Sequence, residues 1–458
     1  MQPISDMNTI VVLVDDMNDF SCAATKRFLP ESSRWLKDRG RCFEHATVTS
    51  PACCPSRAAL QTGQFPHNNR VERQIDARKL DVRNTIQATL GRAGFDTYGI
   101  GKFFNGVKVQ EYESGNLPTG FDDSDFWQSP KYYKYKLYDA AGRAHFPTDG
   151  KHITTRTGDF LQGYIEDRAE SDEPFYAYAA FYAPHTQSGF PAGRKEWPVA
   201  TPANRHRPVP RFRFNPEEFA LDKLSPFRKL ERGKRYYEGF WKARVRALYD
   251  IDHEVAQTFE LLQERDLLDN TAVIFASDNG FHLGENNWES KADPYPKSIN
   301  VPMLAYLPRA FGENVVDRRR VSLTDIAPTL YDLLGITPGH TLDGHSLLDS
   351  FKRTWQFHEF ENEQNRFVLQ ESGKAPFRVP SWAMVTKGKR SYVEFYAHDG
   401  SLLAREFYED AQMKRNLLYS GEARSGPSDK TLNRFRDRLR EYRRCAGTAP
   451  AGAEIACP

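Results

Sequence analysis

The fold of this chain is decided near its start by the stretch Ile10-Val11-Val12-Leu13-Val14, which runs directly into Asp15-Asp16. A continuous apolar run rich in β-branched residues is typical of a strand buried on both faces of a parallel sheet. Two more runs share this design. They are Phe175-Tyr176-Ala177-Tyr178-Ala179-Ala180-Phe181, which ends near Pro184-His185, and Ala272-Val273-Ile274-Phe275-Ala276, which ends in Ser277-Asp278-Asn279-Gly280. Polar residues therefore follow the carboxyl ends of these predicted strands, where such sheets build their sites.

Amphipathic helical patterns lie between the predicted strands. The clearest has apolar residues at three- and four-residue spacing, at Val245, Leu248, Ile251, Val255, Phe259 and Leu262. Strands that alternate with helices predict an α/β doubly wound sheet. Beyond about residue 355 the pattern changes: residues 391–396 alternate like an antiparallel strand, Asp399-Gly400 signals a hairpin, and an Arg-rich helix is expected from about 429 to 444. We therefore expect a large domain over residues 1–355 and a small α+β domain over 356–458.

A basic excursion over residues 188–236 interrupts the large domain. It is dense in proline, arginine and lysine, and its cations include Arg205, Arg207, Arg211, Arg213, Lys229, Arg232 and Arg235. Two interpretations are open. The segment is either a solvated surface excursion or a basic flap near a site that accepts an anionic substrate.

The composition is that of a chain with a large core: 458 residues, 39% hydrophobic and 27% charged. We expect no membrane span, because no apolar run approaches the roughly 18–20 residues needed. The net charge of +2 gives no reason to expect a nucleic-acid partner. The segment from Met1 to Asp6 lacks the regions of a signal peptide. The location stays open between a bacterial cytoplasm and, if a leader was removed, the periplasm or exterior.

The six cysteines are too few for a disulfide scaffold. Cys445 and Cys457 flank a Gly/Ala/Pro segment at the end of the chain. They would close a small loop in an oxidising compartment and stay free thiols in a reducing one. The sequence leaves both states open.

Four oxygen donors follow two of the predicted strands: Asp15 and Asp16 after the first, Asp278 and Asn279 after the last. Hard oxygen donors without cysteine or histidine favour calcium or magnesium over zinc. Taken alone, an Asp-Asp pair is also typical of a helix N-cap, and Asp-Asn-Gly of a turn.

A different stretch carries the chemistry: Cys53-Cys54-Pro55-Ser56-Arg57, continued to Thr62-Gly63. Adjacent cysteines on their own are also typical of a buried thiol or half of a disulfide. The pattern C-x-P-S-R-x-x-x-x-T-G resembles the signature of the type I sulfatases, in which the first cysteine is oxidised after translation to formylglycine. The hydrate of that aldehyde is the family's nucleophile. The register makes Cys53 the candidate, because Pro55 and Arg57 lie two and four residues downstream.

The resemblance covers essentially the whole chain, with its segments in the family's order. These segments are Gly94-Phe95-Asp96-Thr97 with Gly101-Lys102, Pro184-His185, Lys291 before Val301-Pro302, Asp325-Ile326-Ala327-Pro328-Thr329-Leu330, Asp343-Gly344-His345-Ser346-Leu347, and Glu406-Phe407-Tyr408 through Asn416-Leu417. The resemblance implies a catalytic set of Cys53 with its anchor Arg57, the sulfate-binding Lys102 and Lys291, and His185 against the leaving-group oxygen. It also implies a metal held by Asp15, Asp16, Asp278 and Asn279. Fixed cations suit a sulfate ester, whose spread negative charge must be neutralised before an oxygen attacks sulfur.

Three segments are most similar to the glucosamine-6-sulfatase branch of that family, which acts on heparan or keratan sulfate. They are Phe65-Pro66-His67-Asn68, Phe281-His282-Leu283-Gly284 and Cys445-Ala446-Gly447. The substrate-binding candidates are His67 and His282 from these segments, together with Asn105, which is also similar to the glucosamine-6-sulfatase-like proteins. The chain departs from the family at Phe104, where many sulfatases have a histidine. His282 is the nearest replacement by sequence, or else a structural histidine. It departs again at Pro296-Lys297, where relatives commonly have acidic residues.

The resemblance implies an alkaline-phosphatase-like sandwich: a large, mostly parallel central sheet flanked by helices, plus a smaller C-terminal α+β domain with an antiparallel sheet. Residues 1–355 would form the catalytic domain. We expect a calcium-dependent sulfatase, with magnesium as the alternative ion. It would act on a sulfated sugar of the 6-sulfated glucosamine type and meet a formylglycine-generating enzyme during maturation. The rivals are a phosphonate monoester or phosphodiester hydrolase of the same superfamily, and a non-catalytic glycan-binding relative in which Cys53 stays a thiol.

Overall fold

The structure is a computed structural model of the chain. It describes residues 4–105, 119–128, 130–139, 142–147, 149–171, 173–188, 195–214, 232–308, 310–350, 353–362, 379–419, 426–445 and 457. Part of the predicted basic excursion, including Lys229, and two residues of the Cys445-Ala446-Gly447 segment lie outside these ranges.

The described part of the chain alternates strands with helices, as the sequence pattern predicts. The strands are β1 (Asn8–Val14), β2 (Arg41–Thr47), β3 (Asp96–Gly101), β4 (Asp123–Gln128), β5 (Lys136–Tyr138), β6 (Ala144–His145), β7 (Phe175–Phe181), β8 (Gln187–Ser188), β9 (Lys195–Glu196), β10 (Thr271–Ser277), β11 (His282–Leu283), β12 (Glu289–Ser290), β13 (Met303–Tyr306), β14 (Val315–Ser322), β15 (Gln356–Phe360), β16 (Ser381–Lys387), β17 (Arg390–Tyr396) and β18 (Leu402–Tyr408). The α-helices are α1 (Thr25–Phe28), α2 (Ser33–Leu36), α3 (Cys53–Thr62), α4 (Pro66–Asn69), α5 (Ile86–Arg92), α6 (Ile153–Arg168), α7 (Lys234–Glu264), α8 (Pro296–Ile299), α9 (Ile326–Leu334) and α10 (Asp429–Tyr442).

One large sheet organises the molecule, with the strand order β14-β2-β13-β10-β1-β7-β3-β4-β5-β6. Its centre, from β10 to β4, is parallel throughout. Two strands, β13 and β5, run antiparallel to their neighbours. The predicted large, mostly parallel sheet is therefore confirmed, with helices on both of its faces.

The register of the central strands brings their ends level. Val14, the last residue of β1, lies opposite Ser277 on β10 and Phe181 on β7. The residues that follow these strands therefore leave the sheet at one edge. This alignment places the polar segments after β1, β7 and β10 beside one another.

Both faces of the central strands are buried, as their continuous apolar runs predict. Every residue of β1, β7 and β10 is buried. Alternate residues of β1 pack into opposite cores, with Val11 and Leu13 on one side and Ile10, Val12 and Val14 on the other. The long helix α7 covers the second face. All six apolar positions predicted from its periodicity are buried.

The C-terminal region forms an antiparallel sheet of order β15-β16-β17-β18 under helix α10. Phe357, Val385, Tyr392 and Phe407 pack there against Phe435 and Leu439 of α10. This confirms the predicted α+β character. Trp382 on β16 belongs instead to the core of the large sheet, so the two sheets share buried surface. A domain boundary at residue 355 stays a prediction.

Two disulfides cross-link the chain, Cys22–Cys42 and Cys445–Cys457. The sequence left open whether Cys445 and Cys457 are bonded or free, and the structure shows them bonded. The first was not predicted. It ties the loop after β1 to strand β2. Cys53 and Cys54 are buried free thiols.

No helix in the described ranges combines the length and the apolar character needed to cross a bilayer.

Gly101, the last residue of β3, allows a test of how closely β3 packs against β7 just before Lys102. Its φ is +93°, and a Cβ there would lie 2.0 Å from the carbonyl oxygen of Ala180 on β7. We expect Gly101→Ala to lower the free energy of unfolding by about 2–4 kcal/mol, because strain and a backbone clash add. Gly163→Ala on α6 is the control. A Cβ there meets nothing within 4 Å, so we expect a change below about 1 kcal/mol, in the stabilising direction. Denaturant unfolding measures both, and equal stabilities would contradict the packing described.

Candidate active site

The two acidic pairs after β1 and β10 meet at the level edge of the sheet. The backbone N–H of Asp16 donates to Asp278 Oδ1 at 3.0 Å, and Asn279 Nδ2 donates to Asp16 Oδ1 at 2.6 Å. Asp16 has a left-handed backbone, with φ of 64°. Asp15, Asp16, Asp278 and Asn279 are each at most 1% exposed. Oxygen donors 263 positions apart in the sequence thus form one buried cluster.

Helix α3 begins at Cys53 and points its first turn at this cluster. Cys53 Sγ lies 3.6 Å from Asp15 Oδ1. Arg57 follows one turn later on the same helical face. Its Nε donates to Asp278 Oδ2 at 2.9 Å, and its Nη1 donates to the carbonyl oxygen of Lys102 at 2.7 Å. The four-residue spacing of the motif therefore places thiol and guanidinium in the same cluster.

Two buried lysines flank the Cys53 sulfur. Lys291 Nζ lies 2.8 Å and Lys102 Nζ lies 3.3 Å from Sγ. Lys102 also forms an ion pair with Asp15, and Lys291 forms one with Asp16. Lys291 Nζ further donates to Asn279 Oδ1 at 3.2 Å. Both ammonium groups thus touch the predicted nucleophile and the predicted metal ligands.

His185 reaches the same cluster from the loop after β7. Its Nε2 lies 3.6 Å from Asp16 Oδ2, and its side chain is 27% exposed. Tyr132 donates its hydroxyl to the backbone carbonyl of His185 at 2.8 Å. One possible ligand atom from each of Asp15, Asp16, Cys53 and His185 lies within 4.8 Å of the others. His185 is therefore the most exposed member of an otherwise buried group.

The cluster is electrostatically balanced by direct contact between opposite charges. Burial raises the pKa of Asp16, but Lys291, His185 and Lys102 outweigh it and hold that pKa well below its usual range. Burial lowers the pKa of Lys102 and Lys291, but Asp15 and Asp16 respectively raise it above the ordinary value. Burial raises the pKa of the Cys53 thiol to about 11, against the two lysines. The lysines and Asp16 are therefore charged at neutral pH, and the thiol is protonated.

The donor set of the cluster fits a hard divalent cation. Asp15, Asp16, Asp278 and Asn279 all offer side-chain oxygen, which calcium and magnesium prefer. A structural zinc site would instead need several cysteine or histidine ligands. The buried carboxylates also form ion pairs with Arg57, Lys102 and Lys291. These three cations balance the negative charge of Asp278, Asp15 and Asp16.

All three substrate-binding candidates make contacts with other residues of the chain. His67 Nδ1 lies 2.7 Å from Glu359 Oε1, and its Nε2 lies 3.2 Å from the carbonyl oxygen of Cys445. The backbone N–H of Asn105 lies 3.1 Å from Cys54 Sγ, which positions the loop after Lys102. His282 is fully buried. Substrate contact by any of the three stays a prediction.

His282 holds together the ends of the loop that carries Lys291. Its Nδ1 lies 2.9 Å from the carbonyl oxygen of Glu285, and its Nε2 lies 3.0 Å from Asp293 Oδ1. The Glu285 carbonyl only accepts hydrogen bonds, and so does Asp293 in its ionised form, in which case both ring nitrogens carry protons. Asn286, Asn287, Ser290 and Ala292 in this loop all have positive φ. The imidazolium thus spans a strained segment, a role that its sequence position did not reveal.

The charge of His282 can be tested through stability. Burial lowers its pKa, but Asp293 outweighs burial and raises it. Stabilisation by this group is therefore full below about pH 6.5 and is lost as pH rises through the folded-state pKa. We expect the stability difference between wild type and His282→Gln to be larger at pH 6 than at pH 9 in urea unfolding.

His358 serves as the control with the opposite sign. Burial lowers its pKa to about 4, so wild type should lose stability relative to His358→Gln as pH falls from about 6.5. A pH-independent difference for His282→Gln would show that the ring is not charged.

Arg244 also borders the cluster, although no motif in the sequence marks it. It lies on α7, is 2% exposed and donates from Nη2 to the backbone carbonyl of Asp16. The only signal in the sequence is an arginine adjacent to Val245 in the apolar stripe of the helix.

Most of the chain matches a known protein family. The profile of the sulfatase family matches residues 7–336. An arylsulfatase of Volvox carteri is 27% identical over 361 residues, which cover 72% of this chain and 55% of that protein. The human N-acetylglucosamine-6-sulfatase is 27% identical over 368 residues, which cover 74% of this chain and 63% of that protein. The chain thus spans little more than half the length of these relatives.

Solved structures share the fold. One is a protein in complex with its substrate D-glucosamine-2-N,6-O-disulfate, with a TM-score of 0.71 and 19% identity. The alignment covers 95% of this chain and 97% of that one. Another is a phosphonate monoester hydrolase from Silicibacter pomeroyi, with a TM-score of 0.64 and 18% identity, where the alignment covers 95% of both chains. At these identities the likeness concerns the fold.

Proposed function

The chain belongs to the sulfatase family, and we propose that it hydrolyses a carbohydrate sulfate ester of the 6-sulfated glucosamine type. The observation that carries this proposal is the position of Cys53, with Lys291 and Lys102 at 2.8 and 3.3 Å from its sulfur and buried carboxylates beside it. A nucleophile between fixed cations suits attack on a group whose negative charge must be neutralised. The match to an N-acetylglucosamine-6-sulfatase and the fold shared with a glucosamine disulfate complex support the substrate class.

The proposed nucleophile is Cys53 after conversion to formylglycine by a formylglycine-generating enzyme. In that conversion the modifying enzyme supplies a two-electron oxidant, the Cβ sulfur leaves as hydrogen sulfide, and an oxygen takes its place to give the aldehyde. The Cys53 sulfur marks where an oxygen of the hydrate would lie. One hydroxyl of the hydrate attacks the sulfur atom of the sulfate ester in line and displaces the sugar oxygen. The other hydroxyl then loses its proton, the carbonyl re-forms, and sulfate leaves. Arg57, Lys102 and Lys291 stabilise the charge on the transferring group.

The first test of this function separates two adjacent cysteines. We expect Cys53→Ala to abolish sulfate ester hydrolysis, because it removes the atom that becomes the nucleophile. Cys54→Ala is the matched control. Its sulfur contacts the backbone of Asn105, so its loss should leave most of the activity.

The peptide that contains Cys53 should be about 18 Da lighter than its sequence mass in active protein. Wild-type activity in Cys53→Ala would contradict the mechanism. An unconverted Cys53 in a protein that binds glycans without hydrolysis would favour the non-catalytic alternative.

The proposed metal is calcium, with magnesium as the alternative, held by Asp15, Asp16, Asp278 and Asn279. These residues would hold an ion that, when bound, would supply positive charge to polarise the sulfate oxygens. The protein's own part is to hold these oxygen donors together through the bonds from Arg57 to Asp278 and from Asn279 to Asp16.

Metal content tests this assignment directly. We expect elemental analysis of the purified active protein to find about one calcium per chain, and chelation to abolish activity until calcium is restored. Asp278→Ala should lose both the metal and the activity, because it removes a ligand and the partner of Arg57. A stoichiometric zinc that survives mild chelation would overturn the assignment.

His185 is the proposed general acid for the leaving sugar oxygen. Its Nε2 faces Asp16 at the exposed end of the cluster. An alkoxide leaving group needs a proton, whereas a nitrophenolate hardly does. We therefore expect His185→Ala to lower kcat for a sugar sulfate by about 10²- to 10⁴-fold and to affect an aryl sulfate far less. Equal losses on both substrates would make His185 a sulfate-binding group.

A phosphonate monoester or phosphodiester hydrolase is the second candidate. The observation in favour of this candidate is the structural likeness to a phosphonate monoester hydrolase. Comparison of kcat/KM for an aryl sulfate, a phosphonate monoester and a phosphodiester decides between the two. We expect the sulfate to be preferred, and a higher value for either phosphorus ester would replace the proposed function.

A further inference from the structure

A buried arginine joins the loops of the candidate site from outside the cluster. Arg244 projects from the middle of α7 and is 2% exposed. Its Nη2 donates to the backbone carbonyl of Asp16, its Nε donates to Asn18 Oδ1 at 2.9 Å, and its Nη1 donates to the backbone carbonyl of Pro184 at 3.3 Å. Asp16 and Asn18 follow β1, and Pro184 follows β7. One guanidinium therefore binds two loops together.

Asn18 extends the link to the loop after β10. Its Nδ2 donates to the backbone carbonyl of Phe281 at 2.6 Å. The guanidinium carbon of Arg244 lies 4.6 Å from the centre of the Phe281 ring. Phe281 lies two residues after Asn279, and Pro184 lies directly before His185. The three loops linked in this way carry the proposed metal ligands and the proposed general acid.

Chemistry favours arginine at this position over any other side chain. The three acceptors are two backbone carbonyls and one amide oxygen, and they lie in different directions around the guanidinium. Arginine offers five donors in a fixed planar fork, whereas the lysine ammonium is a single flexible point. Burial lowers the pKa of Arg244 to about 10, so the group is still a cation at neutral pH. Removal of the fork would leave buried carbonyl oxygens without partners, which is costly.

We propose that Arg244 is a positioning residue that fixes the separation between the metal-binding loops and His185. It touches neither Cys53 nor the carboxylate oxygens of the cluster in the contacts described, so it acts through the backbone of Asp16 and Pro184. The proposal rests on the proposed function for its kinetic readout. Its calcium-binding readout does not depend on that function.

The experiment compares Arg244→Lys with Arg246→Lys on the same helix. Arg246 is the control because its Nε donates to the carbonyl oxygen of Arg207, on the segment that precedes α7. The first measurement is the melting temperature as a function of calcium chloride concentration, with no substrate present. A ligand that binds the folded state raises Tm according to its affinity. We expect Arg244→Lys to need at least about tenfold more calcium for the same rise, and Arg246→Lys to match wild type.

The second measurement is kcat and KM on a sugar sulfate and an aryl sulfate. We expect kcat of Arg244→Lys to fall by about 10²-fold, since small displacements of catalytic groups cost that much. KM should change little. The decrease in kcat should be larger for the sugar sulfate than for the aryl sulfate, because His185 is displaced. Guanidinium ion added to Arg244→Ala should restore part of kcat and not act on Arg246→Ala.

The outcomes separate positioning from simple packing. A lower melting temperature without a change in calcium dependence or kcat would overturn the proposal. If Arg244→Lys does not fold, Asn18→Ala serves instead, because it removes one of the three Arg244 acceptors and the bond to Phe281 but keeps the guanidinium. It should shift the calcium dependence in the same direction by a smaller factor, and an unchanged dependence would again overturn the proposal. If wild type hydrolyses no sulfate ester but Arg244→Lys shifts the calcium dependence, the proposed function fails and the positioning role stands.

Discussion

The whole site depends on mutual neutralisation of charges that the fold removes from water. Three carboxylates and three cations meet at the level ends of β1 and β10, where almost no solvent reaches them. A charge in such a place is very unfavourable unless an opposite charge contacts it directly. Arg57 therefore binds Asp278, Lys102 binds Asp15, and Lys291 binds Asp16. Removal of Arg57, for example, takes away the buried ion-pair partner of Asp278.

This requirement explains why the supporting structure is so extensive. Lys102 depends on the close approach of β3 to β7, which only a glycine at position 101 permits. Lys291 depends on a loop with several left-handed residues, whose ends the His282–Asp293 pair holds together. The loops after β1 and β7 depend on Arg244. In each case a group outside the cluster fixes the backbone of a group within it, so precision at the site comes from bonds made elsewhere.

Sequence patterns predicted the parts of this arrangement that are local or periodic. The apolar run from Ile10 to Val14 predicted a doubly buried strand, and the motif from Cys53 to Arg57 singled out a candidate nucleophile and its anchor. Contacts between distant segments had no such signal. The disulfide Cys22–Cys42, the His282–Asp293 pair and the bonds of Arg244 to residues 60 and 228 positions away depend on which loops the sheet brings together. His67 illustrates the same difficulty, because the tertiary fold directs its ring to Glu359, 292 residues away.

The burial of Cys53 has a consequence for the order of events in biosynthesis. Only 1% of this residue is exposed, and its sulfur lies behind two lysines that arrive from positions 102 and 291. The folded chain therefore shields this sulfur from a large modifying enzyme, and an open chain, in which Lys291 has not reached its place, would expose it. In the folded chain Cys22 and Cys42 are bonded to each other, so neither sulfur is left to pair with Cys53.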